Sequence, residues 1–155
     1  MAILDEIDIQ ILSRLKDNAR IKASQISQEV NLSVSSVTER IRKLEQAGII
    51  TAYTTVIDQK KIGNDVTALM EVSLDHPKFY DSFTQMVEET KSVVSCYYIS
   101  GDFDFMLRVV TDNTQSLEHL LNLVKSIPGV QNTRTILILS SVKDEHSVDP
   151  DELLK

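Results

Sequence analysis

Apolar residues follow two different rhythms along this chain. In the first third they recur every three or four positions, and beyond it they mostly alternate with polar ones. Leu4, Ile7, Ile11, Leu12 and Leu15 form one stripe at helical spacing and predict a first helix that ends near Asp17 and Asn18. Ala23, Ile26, Ser27 and Val30 give a second, shorter stripe. Asn31 follows it, and asparagine tolerates the left-handed backbone that ends a helix. Ser33 is placed to cap a third helix. The stripe of that helix is Val34, Val37, Ile41 and Leu44, and Gly48 supplies its stop. Two helices separated only by Asn31, Leu32 and Ser33 make a helix-turn-helix candidate. From Ile49 to Ile57 a weakly alternating run, rich in Thr and Tyr, predicts a strand leading away.

The remainder reads β-α-β-β-α-β. Val66, Ala68, Met70, Val72 and Leu74 alternate with polar residues as a strand does. Pro77 suits the first turn of a helix with the stripe Phe79, Phe83, Met86 and Val87. Strands over 93–99 and 103–110 flank the turn Ser100-Gly101-Asp102, and Thr114 is a plausible cap for a helix carrying Leu117, Leu120, Leu121, Val124 and Ile127. Pro128-Gly129 breaks that helix before a last strand, 130–139. This order is the ferredoxin-like split βαβ arrangement. The fold class expected is therefore α+β: an N-terminal, winged-helix-like helix-turn-helix domain and a C-terminal ferredoxin-like βαββαβ sandwich. The boundaries read as 1–50 for the first domain, 51–64 for a strand and linker, 65–142 for the sandwich and 143–155 for an acidic tail, expected to be mobile or to edge an interface.

In such a sandwich both helices cover one sheet face, to which Phe103, Phe105, Leu107 and Val109 are assigned. The uncovered face should be polar in a monomer. The alternation instead places Leu69, Val93, Tyr97, Ile99, Met106, Val110, Leu137 and Leu139 there. Burying one large apolar side chain contributes roughly 1.5–3 kcal/mol, so several of them compete with an association cost of about 4–15 kcal/mol. A sheet-to-sheet homodimer is expected. A one-residue register error would exchange the two faces.

Charge changes the picture further. The 155 residues hold 16 Lys+Arg and 23 Asp+Glu, a net charge of −7. The imbalance lies beyond position 64: nine cations face eight acids up to there, and seven face fifteen after it. Such asymmetry suggests units with different partners. The near-neutral unit also carries a suitable face. Opposite the buried stripe, the third helix presents Ser35, Ser36, Glu39, Arg42 and Lys43, with Thr38 and Arg40 on its flanks. Small hydroxyls permit close approach to a groove, Glu39 can accept from cytosine N4, and Arg40 or Arg42 can reach guanine or phosphate. Arg20 and Lys22 precede the second helix, where a helix-turn-helix touches the DNA backbone. A solvated charged face on a helical bundle remains the alternative.

The ordered run Leu4-Asp5-x-x-Asp8-x-x-Ile11-Leu12, Asn18-Ala19-Arg20, Leu32-Ser33 and Val37-x-x-Arg40-Ile41-x-x-Leu44-Glu45-x-x-Gly48-Ile49-Ile50 resembles the Lrp/AsnC family of feast/famine transcription regulators. Tyr98-x-x-Gly101-x-x-Asp104-Phe105 and Pro128-Gly129-Val130 continue the resemblance, which runs from about Leu4 to Ser140. It implies a sequence-specific regulator of double-stranded DNA built from homodimers that assemble to tetramers or octamers, and a symmetric assembly of such modules calls for a near-palindromic operator. It also implies residence in the prokaryotic cytoplasm at the nucleoid and, in place of a cofactor, an amino-acid effector. By resemblance, Tyr98, Gly101 and Asp104 form the effector turn between subunits. Asp102, and more loosely Thr133 and Thr135, join the candidates. Chemically, an aspartate there can pair with an α-ammonium while exposed N–H groups take an α-carboxylate; a plain hairpin turn is the bland alternative. Two positions depart from the family pattern. Asn31 stands where Gly is common, and Lys22 where a small cap such as Ser is common.

Other readings stay open. One is an amino-acid-binding or assembly protein whose helical unit makes only protein contacts. Another is an enzyme on the sandwich using Asp102, Asp104 and Arg108, which lacks a positioned His or nucleophile. His76, His119 and His146 have no metal-ligand spacing. The single cysteine, Cys96, reads as a small core residue and rules out an intrachain disulfide. No secretory signal is visible in residues 1–10, and the apolar run 136–139 is too short to span a bilayer. The sequon at Asn31 falls within the helix turn. A soluble intracellular protein, and not an enzyme, is expected.

Overall fold

The computed structural model describes residues 4–154. The chain divides into two compact units, one of residues up to 56 together with those from 143 on, the other of residues 57–142.

Three helices build the first unit: α1 (Glu6–Asp17), α2 (Ala23–Glu29) and α3 (Val34–Gln46). The stripes read from the sequence meet in a core of Ile11, Ile26, Val30, Val37 and Leu44, onto which Leu4, Ile7, Leu12, Leu15 and Ile41 pack. Val34 is an exception. It sits in the first turn of α3, ahead of the core, and is half exposed. Asn31 takes the left-handed backbone with φ +53°, the one non-glycine residue to do so among those described, and the next N–H, of Leu32, donates back to Ser27 O. Ser33 Oγ accepts from Ser36 N at 3.1 Å and closes the N-terminus of α3.

The predicted strand over 49–57 does not form: residues 51–57 carry no regular secondary structure. A strand requires a hydrogen-bonding neighbour, and among the described residues none pairs with this segment. The tail reaches α1, where a 3-10 turn (Pro150–Leu154) packs and Lys16 Nζ donates to Glu145 Oε2 at 3.2 Å.

In the second unit, β1 (Val66–Leu74), β2 (Val93–Tyr98), β3 (Phe105–Thr111) and β4 (Val130–Leu137) form an antiparallel sheet in the order β2-β3-β1-β4. Two helices, α4 (Tyr80–Glu89) and α5 (Thr114–Lys125), pack on one face. Pro77–Phe79 form a 3-10 turn leading into α4. Ala68, Met70, Val72, Phe83, Phe105, Leu107, Val109 and Val124 fill the space between sheet and helices.

The uncovered face differs from its prediction at identifiable points. The register of β2 shifts between Val93 and Ser95, so Val93 and Cys96 both pack against the core. A second irregularity, at Ser73 and Leu74, sets the register of β4. Thr133, Thr135 and Leu137 then lie opposite Val72, Met70 and Ala68 on the helix side, and Arg134 and Ile136 share the open side with Glu71 and Leu69. One residue of register reverses a whole strand, and the apolar run 136–139 has no alternation to fix it. Ile99, Phe103 and Leu139 lie outside the strands, and the Arg134 guanidinium sits 5.2 Å from the Phe103 ring centre. The open face thus carries Leu69, Tyr97, Met106, Val110 and Ile136 around an ion pair of Glu71 and Arg134.

Candidate nucleic-acid interface and ligand turn

The α3 face and the turn between β2 and β3 are the two places where sequence-predicted site residues gather. On α3, Ser35, Ser36, Thr38, Glu39, Arg42 and Lys43 are all exposed. The Ser33 hydroxyl lies 2.9 Å from that of Ser35 and 2.8 Å from that of Ser36, and Thr38 Oγ1 donates to Val34 O at 2.8 Å. Arg42 forks onto Glu39, with Nε to Oε2 at 2.8 Å and Nη2 to Oε1 at 2.6 Å. The guanidinium holds the Glu39 carboxyl below its usual range. The pair sets an acceptor and donors side by side on the exposed face of α3. Arg20 is exposed on the approach to α2, and Lys22 occupies its N-cap position, where its N–H is held by Gln25 Oε1 at 3.2 Å.

Arg40 behaves differently. From the flank of α3 it donates from Nη1 to Asp5 Oδ2 and to Asp8 Oδ1, each at 2.7 Å. Beside it a groove of about 560 Å³ opens between the start of α1 and α3, with Leu4, Leu32 and Ile49 among its apolar lining and Ser36, Glu39 and Lys43 along one wall.

At the β2–β3 turn, Gly101 has φ +127° with open space where a Cβ would stand. Only glycine takes that conformation without strain. Tyr98 is largely exposed and stacks in an aromatic cluster with Tyr80 and Phe105. Asp104 is held firmly. Its Oδ2 accepts from Leu74 N and its Oδ1 from the Tyr80 hydroxyl, both at 2.7 Å. Asp104, and then Tyr98, drive the Tyr80 phenol well above the ordinary tyrosine value. Tyr80 and the Leu74 amide were not evident from the sequence, because both come from elements distant along the chain. Asp102 is exposed next to the turn. Thr133 and Thr135 lie under the helices; the Thr135 hydroxyl is buried without a hydrogen-bond partner among the described residues. No grouping of His, Cys, Asp and Glu among the described residues suits a metal, and none of their helices is long and apolar enough to cross a membrane.

A helix-turn-helix unit and a separate αβ sandwich carrying a glycine-and-acid turn define a DNA-binding regulator with a ligand-sensing domain. Comparison places it more narrowly. The family model for winged helix-turn-helix DNA-binding matches residues 4–51, and that for the Lrp/AsnC ligand binding domain matches residues 67–148. The chain is 33% identical over 141 residues to the HTH-type transcriptional regulator FL11 of Pyrococcus horikoshii, covering 91% of this chain and 93% of that one. With the HTH-type transcriptional regulator LrpC of Bacillus subtilis it shares 34% over 139 residues, 90% of this chain and 94% of the relative. A Neisseria meningitidis transcriptional regulator, solved as its L-Met complex, superposes with a TM-score of 0.92 at 27% identity, covering 97% and 99% of the two chains. AsnC of Escherichia coli superposes at 0.89 with 27% identity, over 96% and 100%. The chain belongs to the Lrp/AsnC family of transcriptional regulators.

Proposed function

We propose that this protein is a cytoplasmic regulator that acts as a homodimer or higher assembly, places α3 in the major groove of a near-palindromic duplex, and is modulated by an α-amino acid at the 98–104 turn. The single observation that carries the DNA reading is the division of α3. Val37 and Leu44 anchor one side in the core, while Ser35, Ser36, Thr38, Glu39, Arg42 and Lys43 stand clear on the other. Arg20 and Lys22 are the backbone contacts of this reading. One unit offers few cations, and two on a symmetric assembly gain by effective concentration.

Assembly is supported by the open sheet face, where Leu69, Met106, Tyr97 and Ile136 surround Glu71 and Arg134. The segment 51–57, which has no strand partner among the described residues and leaves Val56 and Ile57 more than half exposed, offers a second surface for a symmetry mate. For the ligand, the exposed Tyr98 and the open Gly101 flank the acids Asp102 and Asp104. An α-amino acid suits them because its ammonium meets a carboxylate and its carboxylate meets backbone N–H groups. The L-methionine complex of the Neisseria regulator supports that ligand class. Thr133 and Thr135 are secondary candidates. The deciding experiment is a gel-shift titration with Arg42→Ala/Lys43→Ala. The reading requires loss of duplex binding with the oligomeric state unchanged; unchanged binding refutes it.

A further inference from the structure

Four carboxylate oxygens at the start of α1 divide their work in an unusual way. Asp5 Oδ1 accepts from Asp8 N at 2.8 Å, and Asp8 Oδ2 accepts from Asp5 N at 3.3 Å. These two bonds form a reciprocal cap, satisfying N–H groups that the helix itself leaves unpaired. The other two oxygens, Asp5 Oδ2 and Asp8 Oδ1, point outward to Arg40 Nη1. One nitrogen therefore bridges both capping residues. Side-chain exposure falls to 17% at Asp8 and 29% at Arg40, so water screens the Asp8 contact far less than a fully exposed pair.

The attachment point on α3 matters. At 100° per residue, Arg40 lies on the flank between the buried Val37–Leu44 side and the outward side. A helix held only by apolar contacts can roll in its seat at little cost, because burial is non-directional. A charge-assisted hydrogen bond on the flank fixes the roll. We infer that Asp5, Asp8 and Arg40 are positioning residues for DNA recognition: the cap of α1 pins the roll of α3, and so sets which of Ser35, Glu39, Arg42 and Lys43 meet the base edges. This inference rests on the DNA reading proposed above. It removes Arg40 from the set of phosphate contacts and gives the spacing Asp5-x-x-Asp8 a purpose beyond capping.

Two rival roles for Arg40 predict different signs. A phosphate contact contributes about 0.9 to the log–log salt slope of binding for each subunit engaged. An arginine sequestered by acids is released when the acids are neutralised. The test uses the full chain and a duplex selected by the wild-type chain from a random pool, with affinity measured across a salt series. Asp8→Asn and Arg40→Ala should each weaken binding about tenfold or more while leaving the salt slope unchanged, and Arg20→Ala, at a backbone contact of the reading above, should lower the slope. Asparagine keeps one acceptor oxygen for the Asp5 N–H of the cap, and circular dichroism checks that Asp8→Asn retains the fold. Should Arg40→Ala melt, Arg40→Lys takes its place in the same slope comparison. A slope lowered by the Arg40 variant as much as by Arg20→Ala would make Arg40 a phosphate contact and overturn the inference. Tighter binding by Asp8→Asn would overturn it too, in favour of sequestration. A wild-type chain that selects no duplex sinks the DNA reading itself before any variant is compared.

Discussion

The Tyr80 hydroxyl donates to Asp104 Oδ1 at 2.7 Å while the other oxygen of the same carboxylate accepts from the Leu74 amide at 2.7 Å. Asp104 thereby ties the start of α4 and the end of β1 to the turn carrying Gly101. Replacing it by alanine leaves a part-buried amide unpaired, which costs about 1–3 kcal/mol. Tyr80→Phe removes one hydrogen bond, worth roughly 0.5–1.5 kcal/mol. Urea denaturation should rank the variants in that order. Near-ultraviolet pH titration should show Tyr80 ionising closer to the ordinary tyrosine value in Asp104→Asn.

Stability in acid follows from the α1 cap. The Asp8 N–H, and then Arg40, lower the Asp5 carboxyl below its usual value of 3.8. A depressed carboxylate stabilises the fold above the unfolded-state value and loses that contribution as the pH falls through the folded one. Melting temperature should therefore drop as acidity passes the normal aspartate range, and Arg40→Ala should flatten this drop. An equal acid sensitivity in the variant would exclude the pairing as its source. Asp5 is half exposed, so the effect is modest and shrinks with salt.

Asn31 offers a backbone test. Its φ of +53° costs a residue with an ordinary side chain about 1–2 kcal/mol. Asn31→Ala should lower stability by that order and Asn31→Gly should leave it within a few tenths, as read by thermal melts. The comparison separates conformational cost from lost contacts because both variants remove the same amide.

Met106 lies near the middle of the open sheet face, opposite Glu71 on one side and Tyr97 on the other. Met106→Lys should yield monomers in light scattering after size exclusion, with duplex affinity falling in parallel. A dimer that survives the substitution would place self-association elsewhere on the molecule.

For the effector, the twenty amino acids are screened by thermal shift against wild type and Asp102→Asn. A ligand at about one hundred times its Kd stabilises by about 2.7 kcal/mol. The stabilising amino acid should lose effect in the variant; equal shifts would remove Asp102 from the site.

Helical spacing made the first unit readable almost residue by residue, because Ile11, Ile26, Val37 and Leu44 each sit on a stripe whose period only a helix satisfies. The order of the sandwich was equally clear. Its two faces were less so. A bulge at Val93 and Ser95 and another at Ser73 and Leu74 shift alternation by one residue, and neither leaves a sequence mark. Segment 51–57 shows the opposite failure: Thr51, Tyr53 and Val56 have strand-like composition but no strand partner among the described residues. On α3 the residues read as outward, Ser35, Ser36, Glu39, Arg42 and Lys43, are exposed. Asp104 was legible as an acid beside a glycine turn, whereas its partners Tyr80 and Leu74 depend on tertiary structure. The same holds for Arg40, whose charge was plain and whose direction was not.

The docking of residues 143–154 on α1 means that the first unit is not contiguous along the chain. A fragment cut after residue 56 would lack the acids facing Lys16 and bare the part of α1 that the closing turn covers. Measurements on an isolated helix-turn-helix peptide would describe an incomplete object, and a faithful miniature must carry both ends of the polypeptide joined across the missing sandwich.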